Sequence, residues 1–299
     1  MIPWHIRLTL AALSLAFSGS LLPAGERLIV CGGPEVFIIP ADADKLTEMD
    51  RLWRWRAADS PEIPAEMHAQ FRTTDECKPA GDSILITSSS GGVALIRRKD
   101  RKCLFYTSAR NAHSACLVPG ERVAVASSHG GDELLLFDLG RSGAKAAPLT
   151  RMKLDGAHGV LWDAGRKRLW ALGTTELLLI ELRSKEQSVE FAVEKKWELP
   201  TSGGHDLYPA ADPGILFVTT IPRVYRFDTR EGAFAPQPTV AEERHIKSID
   251  QHPRTRQIAY HQGTDDKAWW SDTIRFLEPG RTLRVPEERL YKVRWDVER

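Results

Sequence analysis

The chain alternates short apolar runs with polar turns on a recurring scale. Residues 111–139, NAHSACLVPGERVAVASSHGGDELLLFDL, show the unit most plainly. A histidine opens a short strand, a Pro-Gly turn leads into a second strand, and a polar turn leads into a third. The same grammar returns from Gly156, from Gly203 and more loosely from Glu243. The histidines opening these units, His113, His158, His205 and His245, are 45, 47 and 40 residues apart. A period of about 40–50 residues with several short strands per unit predicts β-propeller blades. Runs such as 123–127, 134–137 and 215–219 are nearly continuously apolar. That is expected of middle strands covered on both faces by neighbouring blades.

Before the first histidine, residues 27–33 and 35–40 read as two strands around a Gly-Gly-Pro turn. Residues 52–56 read as a third strand, with Trp53 and Trp55 on one face. The proline-containing stretch 59–69 predicts a connector with a short helical turn. Residues 71–96 repeat the unit with Asp75 in the histidine position, and 103–107 close that blade. Residues 268–277 predict an outer strand region, in which Trp269 and Trp270 read as blade packing, with sugar stacking as the alternative. At the end, YKVRWD aligns with HGVLWD, which puts Tyr291 in the histidine position. No strands follow it, while the chain begins with strands lacking an inner partner. A propeller closes by completing one blade from both ends, which removes an exposed sheet edge. The expectation is all-β: a single six-bladed β-propeller over 25–299, its inner strands starting at Asp75, His113, His158, His205, His245 and Tyr291.

The first residues differ in kind. Arg7, an apolar run over 8–17 and small residues around 18–25 predict a signal peptide over 1–24, hence a periplasmic or secreted protein. The apolar run is too short to span a bilayer. The net charge of +1 gives no global field for nucleic acid or an anionic membrane. The four cysteines show no CxxC pair, which argues against a thiolate zinc site. Three lie in apolar strand contexts, where cysteine acts as a small core residue.

Inner-strand starts converge on one mouth of a propeller channel. Four imidazoles there, His113, His158, His205 and His245, form a candidate site for a divalent transition metal such as Mn, Zn or Fe. They are equally candidates for proton transfer, and the bland alternative is that they hydrogen-bond between blades. Lys78, Lys247 and Lys292 follow their ring positions by one to three residues, and Arg72, Arg110 and Arg244 precede theirs. Such a cationic mouth on a near-neutral protein suits a carboxylated or sulfated ligand. Lys78 or Lys247 then reads as a base and Tyr291 as an acid, with Arg72, Arg110, Asp75 and Lys292 on the substrate. His129, His252 and His261 read as surface residues. Walker, GxGxxG, GxSxG and HExxH patterns are absent from the sequence.

NAHSACLVPGERVAVASS, AHGVLWDAGRKRLWALGTTEL, TSGGHDLYPAADPGILFVTT, IKSIDQHP and WWSDTIRFL resemble a family of exported bacterial WD40-like propeller proteins, over nearly the whole chain after the leader. That resemblance implies fold and export, and no particular reaction. In architecture and histidine placement the chain is distantly similar to oligogalacturonate lyases, propellers with histidine-bound manganese that cleave uronide chains by β-elimination. Carotenoid-cleaving oxygenases also gather four histidines from separate blades, around iron, in much longer chains. Two functions follow: a metal-dependent lyase acting on acidic (uronic-acid) saccharides, or a non-catalytic propeller binding a glycan or protein at the same mouth. Lactonase-type propellers hold calcium with carboxylates and amides, so a histidine ring argues against them.

Overall fold

The computed structural model describes residues 25–298 except 44, 186–187 and 266–267. The signal peptide expected over 1–24 lies outside the described residues.

Six four-stranded antiparallel sheets follow one another in a ring. From the inside outward, blade 2 runs Thr74–Ala80, Ser83–Ser88, Gly92–Arg97 and Cys103–Ser108. Blade 3 runs Ala112–Val118, Arg122–Ser127, Glu133–Asp138 and Thr150–Lys153. Blade 4 runs Gly159–Asp163, Arg168–Leu172, Glu176–Lys185 and Ser188–Glu198. Blade 5 runs Gly204–Pro209, Ile215–Thr220, Val224–Asp228 and Ala233–Pro236, and blade 6 runs Ile246–Gln251, Ile258–Gln262, Thr273–Leu277 and Arg281–Arg284. Blade 1 is built from both ends of the chain: the inner Lys292–Trp295 pairs with Arg27–Gly32, followed outward by Glu35–Pro40 and Trp53–Arg56. This is the closure the terminal pattern predicts.

The middle strands are continuously apolar because both faces are covered. Apolar clusters lie between successive blades, such as Ile29, Val36 and Trp55 against Cys77, Ile84 and Ile86. Cys31, Cys77, Cys103 and Cys116 are all buried free thiols, in keeping with the core reading. The connector before blade 2 forms two 3-10 turns, Ala57–Asp59 and Ala65–Phe71, which bury Met67 and Phe71. A close approach fixes one glycine at the closure: a Cβ on Gly32 would sit 1.9 Å from the Arg289 carbonyl oxygen.

The inner strands present an unpaired edge to the channel, and side chains from the preceding blade satisfy part of it. Ser114 Oγ accepts from Val160 N (3.3 Å), Asp206 from Ile249 N (3.1 Å) and Ser248 from Val293 N (3.0 Å). Asp250 likewise accepts from Trp295 N, at 2.7 Å. Polar residues on these strands thus stitch blade to blade where a ladder partner is missing.

Candidate functional site

The inner strands of blades 2, 3, 5 and 6 each carry a register irregularity at their start. The residue stepped over by the ladder is Asp75, His113, His205 and Lys247 respectively. This local irregularity defines the ring position, and it corrects the sequence reading in blade 6. Lys247 occupies the ring, while His245 lies two residues earlier, half-exposed, with φ of 60°. In blades 4 and 1 the position falls to His158 and Tyr291, immediately before the inner strand.

The ring is closely packed, each member being 4–8% exposed. Ring centroids lie 4.2 Å apart for His113 and His158, and 4.6 Å for His158 and His205. Tyr291 stands 6.0 Å from His113 and 5.9 Å from His205. His113 Nδ1 donates to the Asn111 carbonyl at 3.1 Å, so its Nε2 is the acceptor, while His158 Nδ1 meets both the Ser128 hydroxyl at 2.8 Å and the Gly156 carbonyl at 3.1 Å. In His205 the pattern changes. The Lys247 ammonium donates to its Nε2 at 2.8 Å and the Tyr291 hydroxyl approaches the same atom at 3.4 Å. Nδ1 then carries the proton, and it has no hydrogen-bond partner among the described residues.

Burial sets the protonation states. It holds His113 down at about 3 and His158 and His205 well below the usual imidazole range, with Lys247 adding to the effect on His205. Burial raises Asp75 to about 7, against a hydrogen bond from Ser89 N, and its carboxylate faces His113 Nε2 at 3.9 Å. Burial and the neighbouring Asp75 push Tyr291 well above the ordinary phenol value.

Among the described residues no group of three or more His, Cys, Asp or Glu is arranged to hold a metal ion. The physical reason is local: His245 is outside the ring, and the His205 Nε2 lone pair receives a Lys ammonium, whose charge repels a cation.

Below the ring, charges fill the middle of the channel. Arg294 of blade 1 bridges Glu76 of blade 2 (3.0 Å) and Asp206 of blade 5 (2.7 Å). Lys292 reaches the same two carboxylates at 3.2 and 3.0 Å. Blades 2 and 5 stand on opposite sides of the ring, so these contacts cross its axis. Burial alone would raise Glu76, but Arg294, Lys292 and Lys78 outweigh it and bring the carboxyl to about 2. The same cations hold Asp206 well below the carboxylate range despite its burial. Lys292 is therefore fully buried in an ion network, not aimed at a substrate as the sequence reading has it. Lys78 also departs from expectation: three residues beyond the ring, it donates to Ser114 Oγ (2.8 Å) and the Val160 carbonyl (2.7 Å), away from the histidine mouth.

The loops around the histidine mouth carry exposed Arg72, Arg110, Arg244 and Arg289, none in an ion pair among the described residues. Arg223 and Arg284 at the same end pair with Glu242 and Asp272, and Arg166, Arg226 and Arg256 at the opposite end pair with Asp163 or Asp212. Trp269 and Trp270 lie in the loop between the second and third strands of blade 6, which opens on the histidine side. They are 56% and 38% exposed, so the blade-packing reading does not hold. The Arg289 guanidinium stands 5.0 Å from the Trp270 ring. Of the three histidines read as surface residues, only His129 is exposed. His252 is buried against Trp295 and Glu26, and His261 accepts from Ser271.

The sequence reading missed Glu76, Asp206 and Arg294. Their signal is a charge one or three places after the ring position on an inner strand.

No curated protein matches the chain in sequence. Among solved structures it is similar to a chain from the crystal structure of a nidogen/laminin complex. The two are 11% identical with a TM-score of 0.62, over 91% of this chain and 99% of that one; at that identity the likeness is one of fold. The family model DUF6528, a family of unknown function, matches residues 35–299, and the chain belongs to that family.

Proposed function

We propose that the protein is a binding propeller that takes an acidic saccharide at its histidine mouth. The observation that carries this reading is the group of exposed cations and indoles around the histidine mouth. At the histidine end four exposed arginines lack ion-pair partners among the described residues and two tryptophans stand exposed beside them. Carboxylates or sulfates match the guanidinium groups, and sugar rings stack on indole faces. The unpartnered, buried His205 Nδ1 supports the reading, because such groups are seldom left unsatisfied without a use. A binding role needs no open coordination position, which accords with the closely packed ring.

A second reading, a lyase acting on the same saccharides, is favoured by the Lys247–His205–Tyr291 contact. Loss of the Lys247 proton would leave an amine or the His205 Nε2 free as a base, with the Tyr291 hydroxyl beside it to return a proton.

The test is calorimetric titration of tri-galacturonate against its neutral counterpart, with and without a chelator. Binding of the acidic sugar alone, weakening with salt and surviving the chelator, is the expected result. Equal affinity for the neutral sugar, or no binding, overturns it. Unsaturated product in the same mixture would move the assignment to the lyase. Export follows from the leader expected over 1–24, and N-terminal sequencing of the native protein tests it.

A further inference from the structure

The end of the channel away from the histidines is not flush. A cavity of about 520 Å³ opens there among the inner strands of blades 2 to 5, within the size range of small-molecule sites. Its lining is mostly apolar and includes Leu117, Leu161, Trp162 and Pro209, with Tyr208 and Lys78 beside them. At this end blade 6 ties its inner edge to blade 1 through Asp250 and Trp295 N. Blades 4 to 6 are tied at their turns, where Arg166 donates to the Thr229 carbonyl at 3.3 Å and Ala211 N to Gln251 Oε1 at 3.1 Å, and the matching inner positions of blades 4 and 5 are Leu161 and Tyr208.

The cations bordering the cavity are matched. Lys78 lies 3.6 Å from Glu76, Asp163 pairs with Arg166, and Asp212 pairs with Arg226 and Arg256. Glu298, exposed at the rim, has no ion pair among the described residues and works against an anion. The buried Glu76–Asp206–Arg294–Lys292 network separates this cavity from the histidine ring.

We infer that this cavity is a second binding site, independent of the first, for a small uncharged ligand with an aromatic or similarly flat apolar body. The Trp162 and Tyr208 rings in the lining reward a planar ligand through contact area. The absence of an unmatched cation leaves nothing to offset the desolvation of an anionic head.

The experiment titrates N-phenyl-1-naphthylamine, an uncharged fluorophore, into the full-length protein. Saturable binding of one probe per chain is expected, unchanged by Trp269→Ala at the other mouth. Leu161→Arg, with its fold checked by circular dichroism, weakens binding about tenfold or more by placing a charge in the apolar wall. The anionic 1-anilinonaphthalene-8-sulfonate binds more weakly than the neutral probe. Trp162→Phe, a mild change, removes the part of the tryptophan emission that bound probe quenches. No saturable binding, equal binding by folded Leu161→Arg, tighter binding of the sulfonate, or quenching unchanged in Trp162→Phe would each overturn the inference.

Discussion

Lys247 donates to His205 Nε2 across 2.8 Å, from the ring position of blade 6 to that of blade 5. A cation held against an imidazole opposes its protonation, so after burial Lys247 is the largest influence keeping His205 neutral. Removing the ammonium in Lys247→Met raises the His205 pKa toward the ordinary imidazole value. Proton NMR titration of the ring reads this directly. An unmoved His205 would mean that burial alone sets its state.

The ion network below the ring is a liability if broken. Arg294→Met leaves Glu76 and Asp206 buried with fewer cations, and such a change costs about 3–5 kcal/mol. Urea unfolding measures it; a loss below 1 kcal/mol, on the order of an exposed ion pair, contradicts the buried network.

Stability falls in mild acid. His113, His158, His205 and His261 have folded pKa values below the ordinary imidazole value of 6.5. Below about pH 6.5 the unfolded chain therefore takes up protons that the folded chain refuses, at about 1.4 kcal/mol per pH unit for each proton of difference. Asp75 acts the other way, since its raised carboxyl is protonated in the folded state up to about 7. Its contribution is fully present below the unfolded value of 3.8 and is lost as pH rises through 7. Four imidazoles outweigh one carboxyl, so the urea midpoint drops from pH 7 to pH 5. His158→Gln flattens that slope; an unchanged slope rules out His158 as a contributor.

Trp269→Ala and Trp270→Ala, singly or together, change stability by no more than about 0.5 kcal/mol, because these side chains are exposed. They lower affinity for the acidic saccharide. Thermal melts and calorimetry separate the two effects, and unaltered affinity removes the tryptophans from the binding face.

Gly32→Ala tests the closure. The new Cβ meets the Arg289 carbonyl oxygen and lies 2.7 Å from Leu290 Cα, both backbone atoms that cannot swing aside. The expected cost is about 1–3 kcal/mol, seen as a lower melting temperature. A neutral result would mean that the terminal strand shifts freely in blade 1.

The sequence by itself determined the number of blades, the closure of the ring and five of its six inner positions. These follow from a period of apolar runs and from where strands lack partners, both local properties that a linear pattern carries. It could not place the sixth position. His245 and Lys247 are two residues apart, and the ladder irregularity that selects Lys247 exists only when two strands pair. Nor did it separate Lys78 and Lys292 from the mouth, because which end of a strand a long side chain reaches depends on partners across the channel. Glu76, Asp206 and Arg294 are far apart in sequence and form one network only where three blades meet at the axis. Which charges pair with one another and which stay at the surface depends on contacts between blades, and only the tertiary structure makes those contacts.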